Sequence, residues 1–109
     1  MKEKELQKAI IEYLNKIGFV AWRNNVAGFQ GEYKGKKRFV RFGHPGQADI
    51  FGMTNAGTFI SVEVKAPGKK LRPNQEAWMY LVLKQGGIAT WADSWAAWES
   101  FCGHRGWPV

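Results

Sequence analysis

Thr58-Phe59-Ile60-Ser61-Val62-Glu63-Val64-Lys65 alternates along its whole length. A period of two belongs to an extended strand, where successive side chains point to opposite faces. Ile60, Val62 and Val64 share one face, which suits packing beneath a helix. Ser61, Glu63 and Lys65 share the other, with Glu63 and Lys65 roughly 7 Å apart along the backbone. Two charges in mid-sheet are costly unless something compensates them, and a metal ion is one such compensation. The plainer alternative is an exposed pair on a half-solvated sheet.

Upstream, Ala48 to Met53 predicts a short strand and Asn55-Ala56-Gly57 a turn. The turn folds the first strand back beside the second, which sets Asp49 next to Glu63. Two such carboxylates suit a hard cation. Mg²⁺ takes oxygen ligands, usually one or two carboxylates with waters and substrate phosphate. It lowers the pKa of bound water and offsets charge growing on a phosphate. Lys65 is placed to hold the attacking water or to stabilise that charge. Asp49 as a mere turn cap remains the plainer alternative.

Further out, Leu6, Ile10, Tyr13, Leu14 and Ile17 recur at helical spacing and predict a helix from about Glu3 to Lys16, stopped by Gly18. Phe19 to Arg23 reads as a strand. Residues 25–38 read as a flexible basic loop or a loose hairpin leading into a strand near Arg38 to Phe42. His44-Pro45-Gly46 is a turn. Ala66-Pro67-Gly68 breaks the central strand, and Arg72-Pro73-Asn74 opens a helix through Trp78, Leu81 and Val82 to Gly86-Gly87. Ile88 to Trp91 is a last strand. Asp93 or Ser94 caps a final helix with Trp95, Trp98 and Phe101, ended by Gly103. The order is α-β-β-β-β-α-β-α, an α/β class, with no repeat or interdomain linker.

The 109 residues suit one domain, 1–109. Sixteen Lys and Arg against nine Asp and Glu leave +7, and the pI is about 9.8. That balance points toward a polyanionic partner. Cys102 is the one cysteine, so no internal disulfide forms, and His44 and His104 stand too far apart for a zinc cluster. No apolar run approaches the ~20 residues of a membrane helix. The charged start, Met1-Lys2-Glu3-Lys4-Glu5, lacks a signal-peptide core. A reducing, cytoplasmic setting fits best.

Taken together, Asp49 followed by Glu63-Val64-Lys65 resembles the PD-(D/E)XK nuclease signature, although Pro45 is not adjacent to Asp49. Gly46-Gln47-Ala48-Asp49-Ile50, Glu63-Val64-Lys65-Ala66-Pro67-Gly68, Pro73-Asn74-Gln75, Glu3-Lys4-Glu5-Leu6-Gln7 and Trp22-Arg23-Asn24-Asn25 resemble the VRR-NUC branch. The likeness runs from residue 3 to about 93. It implies a restriction-endonuclease-like core with a mixed sheet flanked by helices. It also implies Mg²⁺- or Mn²⁺-dependent phosphodiester hydrolysis, homodimers similar to Holliday-junction resolvases, and branched or flapped DNA as substrate. By the same resemblance Asp49 and Glu63 are metal ligands, the backbone carbonyl of Val64 completes the metal site, Lys65 is the catalytic lysine, and Gln75 faces the site. Glu3 matches the first-helix acidic position. It shares a face with Leu6, Gln7 and Ile10, whereas Glu5 does not.

For DNA contacts the candidates are Arg23, Asn24, Lys34, Lys36, Lys37, Arg38, Arg41, Lys69, Lys70 and Arg72. The alternative for these is a solvated basic surface. His44 reads as a loop histidine. Trp78, Trp91, Trp95 and Trp98 read as core or dimer interface. The rival functions are a nucleic-acid-binding module without catalysis and an interaction protein that is basic only for solubility.

Overall fold

A computed structural model describes the backbone of residues 1–24, 28–33, 36–41 and 44–109, and the side chains of 1–24 and 44–109. α1, Glu3–Lys16, forms where the apolar stripe predicts it, with Leu6, Ile10 and Leu14 fully buried. Glu3 and Glu5 in its first turn and Lys16 in its last oppose the helix dipole favourably. The Phe19 N–H closes back on the Leu14 carbonyl at 3.1 Å. Phe19 thus belongs to the helix end, and β1 starts one residue later, at Val20–Arg23.

β2 (Gly28–Tyr33) and β3 (Lys36–Arg41) pair antiparallel, from Gly28↔Arg41 to Tyr33↔Lys36. Of the two readings of this basic stretch, the hairpin is the one formed. It adds a strand and stands as a separate two-stranded sheet. Lys34 and Phe42 lie outside the described residues, and so do the side chains of Lys36, Lys37, Arg38 and Arg41.

The central sheet has the order β1-β4-β5-β6. β4 is Ile50–Met53 and β5 is Phe59–Val64. Between them the Gly57 N–H donates to Thr54 O (2.9 Å) and the Thr54 N–H to Thr58 O (3.0 Å). The strands fold back with Ile50 opposite Val62. α2 (Pro73–Lys84) crosses over to β6 (Ile88–Ala92), which runs parallel to β5, so the sheet is mixed. α3, Trp95–Arg105, follows. This is the expected α/β arrangement, a mixed sheet flanked by helices, consistent with a restriction-endonuclease-like fold.

Ser94, not Asp93, caps α3, accepting from the Ala97 N–H at 3.1 Å. Gly103 does not end the helix. It lies inside α3, and Gly106 at φ 77° makes the left-handed stop. The Trp107 N–H then closes on Cys102 O at 2.9 Å. That reversal returns the Trp107 ring to Phe19, Trp98 and Phe101, a burial that a stop at Gly103 would lose.

The core lies on the α1/α3 face of the sheet. Leu6, Ile10 and Leu14 of α1 meet Ile50, Ile60, Val62, Val64 and Ile88 of the sheet and Trp98 and Cys102 of α3. Trp98 is core, as one of its two sequence readings has it; Trp95 packs partly buried against it, and Trp91 is half-buried. On the opposite face, α2 lays Trp78 on Phe51, with ring centroids 5.9 Å apart, and Trp78 Nε1 donates to Ser61 Oγ at 2.9 Å. Among the described residues no helix is long and apolar enough to cross a membrane.

Candidate active site

On the α2 face of β5, Glu63 is only 8% exposed, although it carries a carboxyl group. Asp49 lies just before β4. One step beyond the Ile50↔Val62 pair, strand alternation brings it beside Glu63. Its Oδ2 accepts from the Val64 N–H at 2.9 Å, which fixes the carboxylate against the end of β5. Burial pushes the Glu63 carboxyl up to about 9, and its contact with the Asp49 carboxylate adds to the rise. Glu3 contributes slightly in the same direction, while Lys65 opposes it. At neutral pH Glu63 therefore holds its proton.

Gln75 links the two ends of the site. Its Oε1 accepts from Lys65 Nζ at 3.1 Å and from the Arg72 N–H at 2.8 Å. Its Nε2 donates to Glu63 Oε1 at 3.3 Å. A carbonyl oxygen has two lone pairs, so both donors are served, and the amide has one sensible orientation. The Arg72 contact arises because Gln75 is the third residue of α2 and reaches back to the residue before the helix. One side chain therefore caps α2 and holds Lys65 and Glu63 in fixed relation.

Gly46 sets the distance between the Asp49 loop and α2. It adopts φ +77°, and a Cβ there would fall 2.2 Å from the Asn74 carbonyl oxygen and 3.1 Å from the Gln75 nitrogen. Only glycine allows so close an approach of two backbones. The sequence marks Gly46 as a turn residue, and nothing local shows the helix it must touch. Asn24 is a second such residue. Its Nδ2 donates to Ala48 O (3.0 Å) and its N–H to Asp49 O (2.7 Å). Its amide therefore positions the Asp49 loop.

The cleft, about 570 Å³, is lined by Glu3, Asp49, Glu63, Lys65 and Gln75 with Lys69, Lys70 and Arg72. Glu3 lines it and Glu5 does not, in keeping with the helical phase. Arg23 opens instead on a neighbouring cavity beside α1. His44 is exposed, with its ring 5.2 Å from that of Trp78, and it does not line the cleft. A second cavity of similar volume lies between Phe59, Trp78, Leu81 and Val82 and has no titratable lining, so it offers no acid, base or ligand.

Among the described residues no three His, Cys, Asp or Glu converge on one point. The converging carboxylates are two, Asp49 and Glu63, with Glu3 also on the cleft wall. That donor set fits Mg²⁺ or Mn²⁺, which take hard oxygen ligands and complete their shell with water and phosphate. It does not fit a closed zinc site, which needs four protein ligands rich in nitrogen or sulfur.

A buried carboxyl with a lysine two residues on, at the end of the interior strand β5 of a mixed α/β sheet, is consistent with the restriction-endonuclease-like class. Within that class, a model of the VRR-NUC domain matches residues 1–95 of the 109-residue chain, and the chain belongs to that family. It is therefore a nuclease-type domain, for which DNA is the implied substrate. None of the curated proteins compared with the chain matches it.

Proposed function

We propose that residues 1–109 form a single metal-dependent endodeoxyribonuclease domain that selects branched DNA, such as a flap or four-way junction, in replication, recombination or repair. The observation that carries this reading is the hydrogen-bonded series from Lys65 through Gln75 to Glu63, beside Asp49, in a cleft rimmed by Lys69, Lys70 and Arg72.

Asp49, Glu63 and the Val64 carbonyl would hold a Mg²⁺ or Mn²⁺ ion, which when bound supplies an activated water and offsets charge on the phosphate. Glu63 would hold the ion as a carboxylate, its proton passing to solvent. Gln75 keeps Lys65 Nζ directed into the cleft, where the ammonium holds the attacking water or stabilises the extra negative charge on the phosphoryl oxygens. Water attacks in line and the 3′-oxygen leaves. Lys69, Lys70 and Arg72 contact flanking phosphates and fix the register of the strand. The basic strand β3 with Lys36, Lys37, Arg38 and Arg41, together with Lys34, supplies further cations.

A homodimer suits this activity. A domain of this size has little surface for a branched substrate, and two sites would cut opposite strands. A single cysteine fits the reducing, cytoplasmic setting such an enzyme works in.

The test is a panel of labelled duplex, single-stranded, flap and four-way-junction DNAs with Mg²⁺ or Mn²⁺. Branched DNA is cut fastest, and Asp49→Ala and Lys65→Ala each lower the rate by at least about a hundredfold while circular dichroism stays unchanged. Wild-type cutting rates in either variant would overturn the assignment.

A further inference from the structure

Beside the catalytic cleft, along α1, lies a separate cavity of about 390 Å³. Its walls are Lys4, Gln7, Lys8, Ile11, Glu12 and Arg23. Lys4, Lys8 and Ile11 fall at i, i+4 and i+7, so they share one stripe of the helix. Arg23 reaches the cavity from the end of β1, where it pairs with Ile50. Three cations thus face a single carboxylate, Glu12.

The floor of this cavity is unusual. Gln7 is only 8% exposed, a polar residue among the buried apolar positions of α1. No hydrogen bond among the described residues engages its amide. Among those residues, Trp98 Nε1 is the buried side-chain nitrogen or oxygen without a partner, so the Gln7 amide must reach the solvent in the cavity it lines. A core-facing position occupied by an open amide between two lysines is a poor choice for packing alone. It is a good one for a donor to an anionic oxygen.

The cavity also adjoins the chemistry. Glu3, which lines the cleft, precedes Lys4, and Arg23 is followed by Asn24, whose N–H donates to Asp49 O at 2.7 Å.

We propose that Gln7, Lys4, Lys8 and Arg23 form a backbone-phosphate subsite. It holds the nucleic-acid strand beside the α1 wall of the cleft, at a place distinct from Lys69, Lys70 and Arg72. The inference rests on the nuclease reading and extends it: α1 and the end of β1, as well as the segment before α2, hold the strand. Lys4 and Lys8 supply charge, and the Gln7 amide donates to a non-bridging phosphate oxygen.

Fluorescence anisotropy with labelled DNA tests this, with Ca²⁺ replacing Mg²⁺ to prevent cutting, across a series of salt concentrations. Lys4→Ala/Lys8→Ala weakens binding about tenfold or more and reduces the slope of log affinity against log salt by about 2, near 0.9 per lost phosphate contact on duplex DNA. Gln7→Leu weakens binding with no change in slope. A charge-matched control, Lys16→Ala/Lys84→Ala, changes little. Wild-type affinity and slope in the Lys4/Lys8 variant, or an equal loss in the control, would overturn the subsite. DNA that wild-type protein neither binds nor cuts would instead overturn the nuclease reading beneath it.

Discussion

The two faces of β5 are built on opposite principles. Toward α1 and α3, Ile60, Val62 and Val64 are wholly buried among aliphatic and aromatic side chains. Toward α2, Ser61 and Glu63 are nearly as buried, yet each keeps a polar partner, Trp78 for one and Gln75 for the other. The first face stabilises by removing apolar area from water. The second carries an acid that burial holds in its neutral form at neutral pH. One six-residue strand thus separates stability from chemistry by alternation alone.

Substitutions one face at a time test that separation most severely. Ile60→Ala costs about 2–5 kcal/mol of stability and leaves turnover per folded molecule near wild type. Glu63→Gln keeps an acceptor for Gln75 Nε2 and leaves the melting temperature at or above wild type at neutral pH. It lowers hydrolysis by more than the roughly 10–100-fold that loss of a partner outside the ligand shell costs. Thermal melts and single-turnover cleavage on both variants check this. Equal loss of activity per folded molecule in the two would mean that the faces are not separate.

A second expectation concerns pH. In the unfolded chain Glu63 titrates near its ordinary 4.5, and in the fold at about 9. Between those values the native state binds more protons than the unfolded state. Stability in a chelator therefore falls as pH rises through this window, with the contribution complete below about 4.5 and lost above about 9. Denaturant melts in chelator against pH show this slope, and Glu63→Gln flattens it. Added Mg²⁺ restores stability most at the alkaline end, where its ligands are already ionised.

The smallest effect lies far from either face. Gly103 sits inside α3, and a Cβ there meets nothing within 4 Å. Gly103→Ala therefore stabilises by about 0.5–1 kcal/mol, seen as a higher melting temperature with unchanged cleavage.

Much of this was readable in the sequence wherever the signal is local and periodic. The stripe Leu6, Ile10, Leu14 defined α1, and the alternation from Thr58 to Lys65 placed Glu63 and Lys65 on one face before any fold was known. Helical phase favoured Glu3 over Glu5. The misreadings are local ambiguities resolved by distant contacts. Gly103 and Gly106 are both plausible helix stops. The choice falls on Gly106 because the chain beyond it must return Trp107 to Phe19 and Trp98. Residues 25–38 have no strong period, so loop and hairpin stayed open.

By itself the sequence determined which residue types meet on a strand or helix face, because periods of 2 and 3.6 are properties of the backbone. Only the tertiary structure decided how those faces meet each other. Gly46 has meaning only against Asn74 and Gln75, Asn24 only against Ala48 and Asp49, and Gln75 only between Lys65 and Glu63. Each of these contacts joins residues far apart in the chain, and no local pattern encodes a distance across space. The open amide of Gln7 between Lys4 and Lys8 likewise reads in the sequence as one more position on the buried stripe. Only the packed sheet and helices show that it faces a cavity.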